Sequence, residues 1–119
     1  MDAKEIKFFV KRIFTKDLSL ESPDAPAIFD NIKSTPKIAF NLNTTITEVD
    51  NTTYDTTLEI TVKAELDDAV IYMVDLKQAG LFIIDGADDE LKDGFLNIRC
   101  PEVLFPYARE TISSLVQKA

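Results

Sequence analysis

The residue types that most often catalyse reactions or bind metal ions are scarce in this sequence. It contains no histidine, the commonest general base and the commonest metal ligand in proteins. Cys100 is the only cysteine, so neither an internal disulfide nor a cluster of thiolate ligands can form within one chain. We interpret Cys100 as a small buried residue before a helix, in preference to a nucleophile.

Acidic side chains offer two further kinds of site, and the spacing favours neither. Asp88, Asp89 and Glu90 are consecutive, so on a helix their carboxylates diverge, and the spacing of an EF-hand loop is missing. A carboxylate pair of glycosidase type needs two acids in one cleft, whereas Glu59 and Asp75 fit the polar faces of strands. The three glycines cannot form a phosphate-binding loop. We therefore expect no enzyme activity, no metal site and no cofactor.

Length and charge restrict the classes of partner. The 119 residues fit a single domain over residues 1–119, and 21 acidic against 13 basic residues give a net charge of −8. This charge disfavours nucleic acid and favours positively charged partners. No apolar run is long enough to cross a membrane, and the first residues, MDAKEIKFF, lack the pattern of a signal peptide. We therefore expect a cytoplasmic protein that does not insert into a membrane.

Alternating apolar residues predict strands over most of the chain. The predicted elements are a first strand from about Ile6 that changes face through a bulge near Arg12, a long crossover over residues 21–36 with one helical turn, and strands at 37–49, 54–66 and 70–84. Residues 50–52 and 67–68 are the predicted turns. The strand from 37 and the strand from 54 form a predicted antiparallel hairpin.

Two helices are predicted after the last strand. Asp88 is the predicted cap of a short helix that Gly94 keeps short. Residues 100–117 carry apolar side chains at three- and four-residue spacing, which predicts a long amphipathic helix. Because Pro106 has no amide hydrogen, we expect the regular part of this helix to begin at Phe105. The predicted fold is therefore α+β: a four-stranded antiparallel sheet with a long crossover loop, a short helix and one long C-terminal helix.

Two alternating faces of the predicted sheet have two interpretations each. Ile38, Phe40 and Leu42 share a face that is either core packed on the long helix or an apolar patch that binds a partner. The pattern alone favours core. The second face is either core, again the preferred interpretation, or a subunit interface. It comprises Tyr72, Val74, Leu76 and Gln78.

Three sequence blocks resemble the bacterial protein-export chaperone SecB. They are TKD at Thr15 to Asp17, ESPDAP at Glu21 to Pro26 and LFPYARE at Leu104 to Glu110, and the resemblance extends from about residue 8 to residue 117. It implies a homotetramer, a dimer of dimers, that holds unfolded precursor proteins and delivers them to the SecA translocation motor. It also implies that no cofactor is used and no nucleotide is hydrolysed.

The resemblance also implies roles for particular residues. Ile38, Phe40 and Leu42 match a strand face implicated in substrate binding, and Phe29 lies in the crossover that roofs the same groove. Tyr72, Val74, Leu76 and Gln78 match positions implicated in tetramer assembly. Acidic residues on the outer surface of the sheet would provide the docking site for the motor. The candidates are Asp17, Glu21, Asp55 and Glu59.

One difference from the family bears on these expectations. SecB proteins continue past the long helix into a loop, a second helix and a mobile acidic tail, which this sequence does not contain, so we expect a truncated or shortened relative. An alternative within the same fold is a binding module dedicated to one partner, such as an antitoxin. An enzyme would be an alternative of another class, but no carboxylate stands out as its catalytic residue.

Overall fold

The computed structural model describes residues 5–31 and 35–118. These residues form one antiparallel sheet of four long strands with a helical segment packed on it, as the sequence predicts. The strands are β1 (Lys7–Glu21), β2 (Lys37–Glu48), β3 (Thr53–Leu66) and β4 (Ala69–Asp85). Their order across the sheet is β1-β4-β3-β2, so β1 and β2 are the two edge strands.

Short acidic turns connect the three consecutive strands, at the predicted places. In the turn between β2 and β3, Asp50 accepts hydrogen bonds from the backbone amides of Thr52 (3.0 Å) and Thr53 (2.8 Å). These bonds hold the pKa of the Asp50 carboxyl below its usual value. Asp67 and Asp68 turn β3 into β4 with φ angles of 49° and 67°, the left-handed conformation that two-residue hairpin turns require.

The change of face predicted in β1 is confirmed. Its pairing with β4 shifts between Val10 and Arg12, and shifts again between Thr15 and Asp17, which the sequence did not predict. Each extra residue moves the following side chains to the opposite face of the sheet. As a result Phe8, Ile13 and Leu20 all pack against the main core despite their mixed parity.

The helical segment begins as predicted and then continues further than predicted. The Asp88 carboxylate accepts a hydrogen bond from the Leu91 amide at 2.8 Å and caps α1 (Asp89–Gly94). A π-helical turn, Phe95–Arg99, then leads directly into α2 (Cys100–Val116), and the backbone stays right-handed helical at both junctions.

The expectation that the regular part of the long helix begins at Phe105 is wrong. α2 begins at Cys100, with Pro101 in its first turn and Pro106 inside the helix. Proline at position 106 leaves the Glu102 carbonyl without its helical donor. Because Glu102 and Pro106 are both exposed, water can hydrate that carbonyl, and the helix tolerates the proline there.

The core lies between the sheet and α2, over β3 and β4. We call this side the helix face; its residues on β3 and β4 include Leu58, Ile60, Val62, Val74, Leu76 and Phe82, and the opposite side is the outer face. Gly80 sets how closely the helix approaches. A Cβ atom added there would lie 2.9 Å from Leu104 Cδ2, so only glycine allows this contact without rearrangement.

A long crossover, residues 22–36, leads from β1 to β2 at the opposite edge. It contains the predicted helical turn as a 3₁₀ turn, Ala27–Asn31, which contacts β4. The Asp24 carboxylate accepts a hydrogen bond from the Val70 amide at 2.8 Å. Within the described ranges of the chain, none of the helices is long and apolar enough to span a bilayer.

Candidate functional site

An apolar groove runs between α2 and the exposed edge of the sheet. Its sheet side is formed by Phe40, Ile60 and Val62, and its volume is about 290 Å³. The helix contributes side chains spaced three and four residues apart along one stripe. They are Phe105, Arg109, Ile112 and Ser113.

The groove exists because α2 does not extend over β2. Register places Ile38, Phe40 and Leu42 opposite Ala64, Val62 and Ile60, and therefore on the helix face. The helix packs on β3 and β4 instead, and the three β2 side chains remain 54%, 55% and 44% exposed. The core interpretation that the alternation favoured for these three residues is therefore wrong.

The chemistry of the groove suits an extended apolar segment. Aromatic rings stand on both sides, Phe40 from β2 and Phe105 from α2, and both are partly exposed. Arg109 is the one charged side chain among the residues that line it, and its guanidinium can donate hydrogen bonds to backbone carbonyls or stack on aromatic rings. Such a surface can accommodate apolar side chains without demanding a particular sequence.

The outer face carries a row of charged residues across three strands. Asp17 of β1 pairs with Lys77 of β4, which in turn pairs with Glu59 of β3, so the three side chains stand side by side. In the next row, Asp75 accepts a hydrogen bond from the Thr61 hydroxyl at 2.8 Å. These residues border a shallow pocket of about 150 Å³ in which three carboxylates surround one ammonium group.

Comparison with known proteins agrees with this architecture. The family profile described as "Preprotein translocase subunit SecB" matches residues 1–119. The chain belongs to the SecB family. A protein-export protein SecB of Methylococcus capsulatus is 36% identical over 114 residues, which cover 96% of this chain and 73% of the relative. One from Legionella pneumophila is 41% identical over 112 residues, which cover 94% and 68%.

A solved structure extends the agreement to the fold. The SecB-like chaperone of Mycobacterium tuberculosis, in complex with a peptide from the HigA1 antitoxin, matches with a TM-score of 0.68. The match covers 93% of this chain and 82% of the other, at 15% sequence identity. At that identity it establishes the shared fold and nothing more.

The residues that the SecB resemblance assigns to the groove lie in two different places. Phe40 lines the groove directly, with Ile38 and Leu42 on the same face of β2 two residues to either side. Phe29 lies on the 3₁₀ turn of the crossover, 45% exposed, and is not among the residues that line the groove. Its proposed position above the groove therefore remains a prediction.

The groove has a helix wall and a floor that the sequence reasoning did not identify. Ile60 and Val62 lie in the strand predicted at 54–66, and Phe105 and Ile112 lie in the helix predicted at 100–117, but the sequence patterns do not link the two elements. The signal that could have found them is the hairpin register, which pairs Phe40 with Val62. The packing position of α2 was still needed to complete the site.

The residues expected to contact another subunit lie mainly inside this one. Val74, Leu76 and Gln78 are almost completely buried, and the Gln78 amide donates to the Phe14 carbonyl at 3.1 Å. Only Tyr72 remains partly exposed. The expectation of direct subunit contact is therefore corrected for the three buried residues, because the core against α2 occupies the surface they would offer.

The four acidic residues predicted to dock the motor have different environments. Asp17 and Glu59 belong to the charged row of the outer face, while Glu21 lies further along β1, opposite Met73. Asp55 is largely covered, forms a 2.8 Å ion pair with Lys16 and accepts a hydrogen bond from Thr57. Because its charge is already compensated, Asp55 is a weaker candidate than Asp17 and Glu59.

Cys100 is buried, as the sequence predicts, and is the first residue of α2. Desolvation raises the pKa of its thiol to about 11, partly offset by the nearby Thr56 hydroxyl. At neutral pH the group is therefore an uncharged thiol, which is a poor nucleophile. Within residues 5–31 and 35–118, no three potential ligands among Cys, Asp and Glu come together in an arrangement that could hold a metal ion.

Proposed function

We propose that this SecB-family chain is an export chaperone that holds unfolded precursor proteins in the groove between β2 and α2. The observation that carries the proposal is the exposure of Ile38, Phe40 and Leu42 beside an apolar groove that the chain's own helix leaves open. An unfolded client exposes apolar segments several residues long, whereas a folded protein has buried them. Binding then selects for the unfolded state.

The strength of client binding follows from the apolar area that each groove buries and from the number of grooves that one client can reach. Each square ångström of apolar surface removed from water stabilises the complex by about 25 cal/mol, and part of that gain offsets the cost of ordering the client. One groove is therefore weak. In a homotetramer, a dimer of dimers, one client reaches several grooves, and rebinding at a neighbouring groove raises avidity by roughly 10² or more.

For delivery of the client, we propose that the SecA motor docks on the opposite side of the sheet. Asp17 and Glu59 form part of a net acidic row on the outer face, and Glu21 and Asp55 are the weaker members of the candidate set. Groove and acidic row lie on different faces, so a client and a basic surface of the motor can bind at the same time. This activity would take place in the cytoplasm, before export.

The proposal includes neither catalysis nor a cofactor. The one cysteine is a buried neutral thiol and the sequence has no histidine, so no activated nucleophile or general base is evident in the described residues. We propose that residues 1–119 act as a single domain. A related possibility is a SecB-like module that binds one partner only, such as an antitoxin, and client range distinguishes it from a general chaperone.

The test is the solution mass of the protein, measured by light scattering with and without a permanently unfolded apolar protein. The proposal expects a mass of four subunits that increases by one client. It also expects slower refolding of two unrelated proteins when the chaperone is present. A species that ignores the unfolded protein would refute the holding function, and binding of a single partner type would favour the dedicated module.

A further inference from the structure

The crossover starts with a hydrogen bond that continues the sheet after β1 has ended. The last described pair between β1 and β4 is Glu21 with Met73, and Pro23 then interrupts the strand because it has no amide to donate. Asp24 is three residues after Glu21, and Val70 is three residues before Met73, so both lie three positions past the end of this pairing. There the Asp24 carboxylate, in place of a backbone carbonyl, accepts the Val70 amide at 2.8 Å.

This contact defines where the crossover begins relative to the groove. Val70 pairs with Glu65 of β3, and Glu65 pairs with Lys37, the first residue of β2. The crossover therefore leaves the sheet at Asp24 and rejoins it at the same row, about three strand spacings or roughly 14 Å away. Fifteen residues (22–36) cover this short distance, so the length of the segment alone does not fix its path.

Phe29 lies in the middle of this segment. It follows Asp24 by five residues, on a 3₁₀ turn that contacts β4, and its ring is half exposed. The next row of the sheet towards the groove is the pair Ile38 and Ala64, and the pair Phe40 and Val62 lies two rows further on the same face. An anchor at Asp24 therefore ties the segment that carries Phe29 to an end of the sheet that lies three rows from Phe40 and Val62.

We infer that Asp24 is a positioning residue for client binding: its hydrogen bond to the Val70 amide anchors the crossover on the β3–β4 hairpin and holds Phe29 beside the groove. The inference rests on the proposed function, because Phe29 is expected to contact the client. Asp24 itself touches no client. It acts by raising the fraction of molecules in which the crossover is correctly placed, and the apparent affinity scales with that fraction.

The first experiment measures the affinity of a short unfolded apolar peptide that fills one groove. Asp24→Ala is expected to weaken binding about five-fold, which corresponds to loss of one hydrogen bond. Asp24→Asn keeps an acceptor oxygen and is expected to stay within about two-fold of the native chain. Asp30→Ala removes an exposed carboxylate on the same segment for which the described residues provide no hydrogen bond, and is the matched control.

The second experiment tests whether Asp24 acts through Phe29. In a Phe29→Ala background, Asp24→Ala should cause no further loss of affinity, because the positioned ring is already absent. An equal further loss would overturn the inference, as would native affinity in the single Asp24→Ala variant or equal weakening by Asp30→Ala. Thermal unfolding of each variant should be unchanged within a few degrees; a fall in peptide affinity that follows a fall in stability would also overturn it.

Amide hydrogen exchange in the unaltered protein provides a measurement that needs no variant. The Val70 amide should be protected without peptide and exchange more slowly when the peptide is bound. An unprotected Val70 amide, or protection that the peptide does not change, would overturn the inference. Failure of the native protein to bind any peptide would instead refute the proposed function, and the protection of Val70 in the free protein would still decide whether the anchor exists.

Discussion

Replacing Phe40 by alanine should weaken the binding of unfolded segments far more than it alters the fold. The ring is 55% exposed on an edge strand. A phenylalanine side chain carries about 200 Å² of surface, so a bound segment can cover about 100 Å² of it. At about 25 cal/mol per Å², this contact contributes up to about 2.5 kcal/mol, of which alanine retains a small part. We expect a loss of about 2 kcal/mol per groove, or about 30-fold in affinity.

The assay uses fluorescence anisotropy with a labelled peptide short enough to occupy one groove, so that avidity does not mask the effect. Phe9→Ala is the matched control, because Phe9 is 52% exposed on the other edge strand and belongs to the outer face. Both variants lose the same atoms and a similar buried area, so their unfolding free energies should fall by similar amounts. Only Phe40→Ala should lose affinity.

Two results would refute this reasoning. Binding within two-fold of the native chain would mean that Phe40 does not contact the segment, and that the groove beside α2 is not the holding site. Equal weakening by Phe9→Ala would mean that any exposed aromatic ring contributes, so that holding is a property of the whole apolar surface. Subunit mass measured in parallel excludes a change of assembly as the cause.

Three further perturbations test other parts of the molecule. Glu59→Gln should lower affinity for the SecA motor about two- to five-fold at low salt and not at high salt, with peptide affinity unchanged; equal motor affinity at low salt would contradict the acidic docking row. Gly80→Ala should destabilise the fold by about 1–3 kcal/mol in urea unfolding, because the new methyl group would crowd Leu104, whereas Gly94→Ala meets no atom within 4 Å and should not destabilise. Folding raises the pKa of Cys100 from its ordinary 9.0 to about 11, so the native chain should lose stability relative to Cys100→Ala as pH rises through that interval; a constant difference would contradict burial of the thiol.

Local patterns in the sequence were sufficient for the strands, the turns and the start of the helix. The alternation around Phe40 and Val62 places both on one face, and Asp88 caps α1 as its position before an acidic turn indicates. These features depend on neighbours a few residues away. The bulge between Thr15 and Asp17 has no comparable local signal and was missed.

Features that depend on where α2 lies could not be predicted in the same way. A two-residue alternation shows which residues share a face of the sheet, but it does not show whether that face is covered. Phe40 was therefore placed in the core by pattern and is exposed, while Val74 was placed at a subunit interface by resemblance and is buried. The close approach at Gly80 fixes the helix over β4, and this long-range contact decides both outcomes.

An open apolar groove on an edge strand carries a risk of self-association, and the charge distribution provides a counterweight. The net charge of −8 makes chains repel one another at long range, whereas unfolded segments of other proteins do not share that charge. β2 also carries Asn41, Asn43 and Thr45 on the face opposite Phe40, so only one of its faces is apolar. The same charge that keeps the grooves available would then attract a basic surface of the motor, and raising the salt concentration should weaken both effects together. If self-association does not increase with salt, charge repulsion is not what keeps the chains apart. The polar face of β2 would then be sufficient to prevent their association.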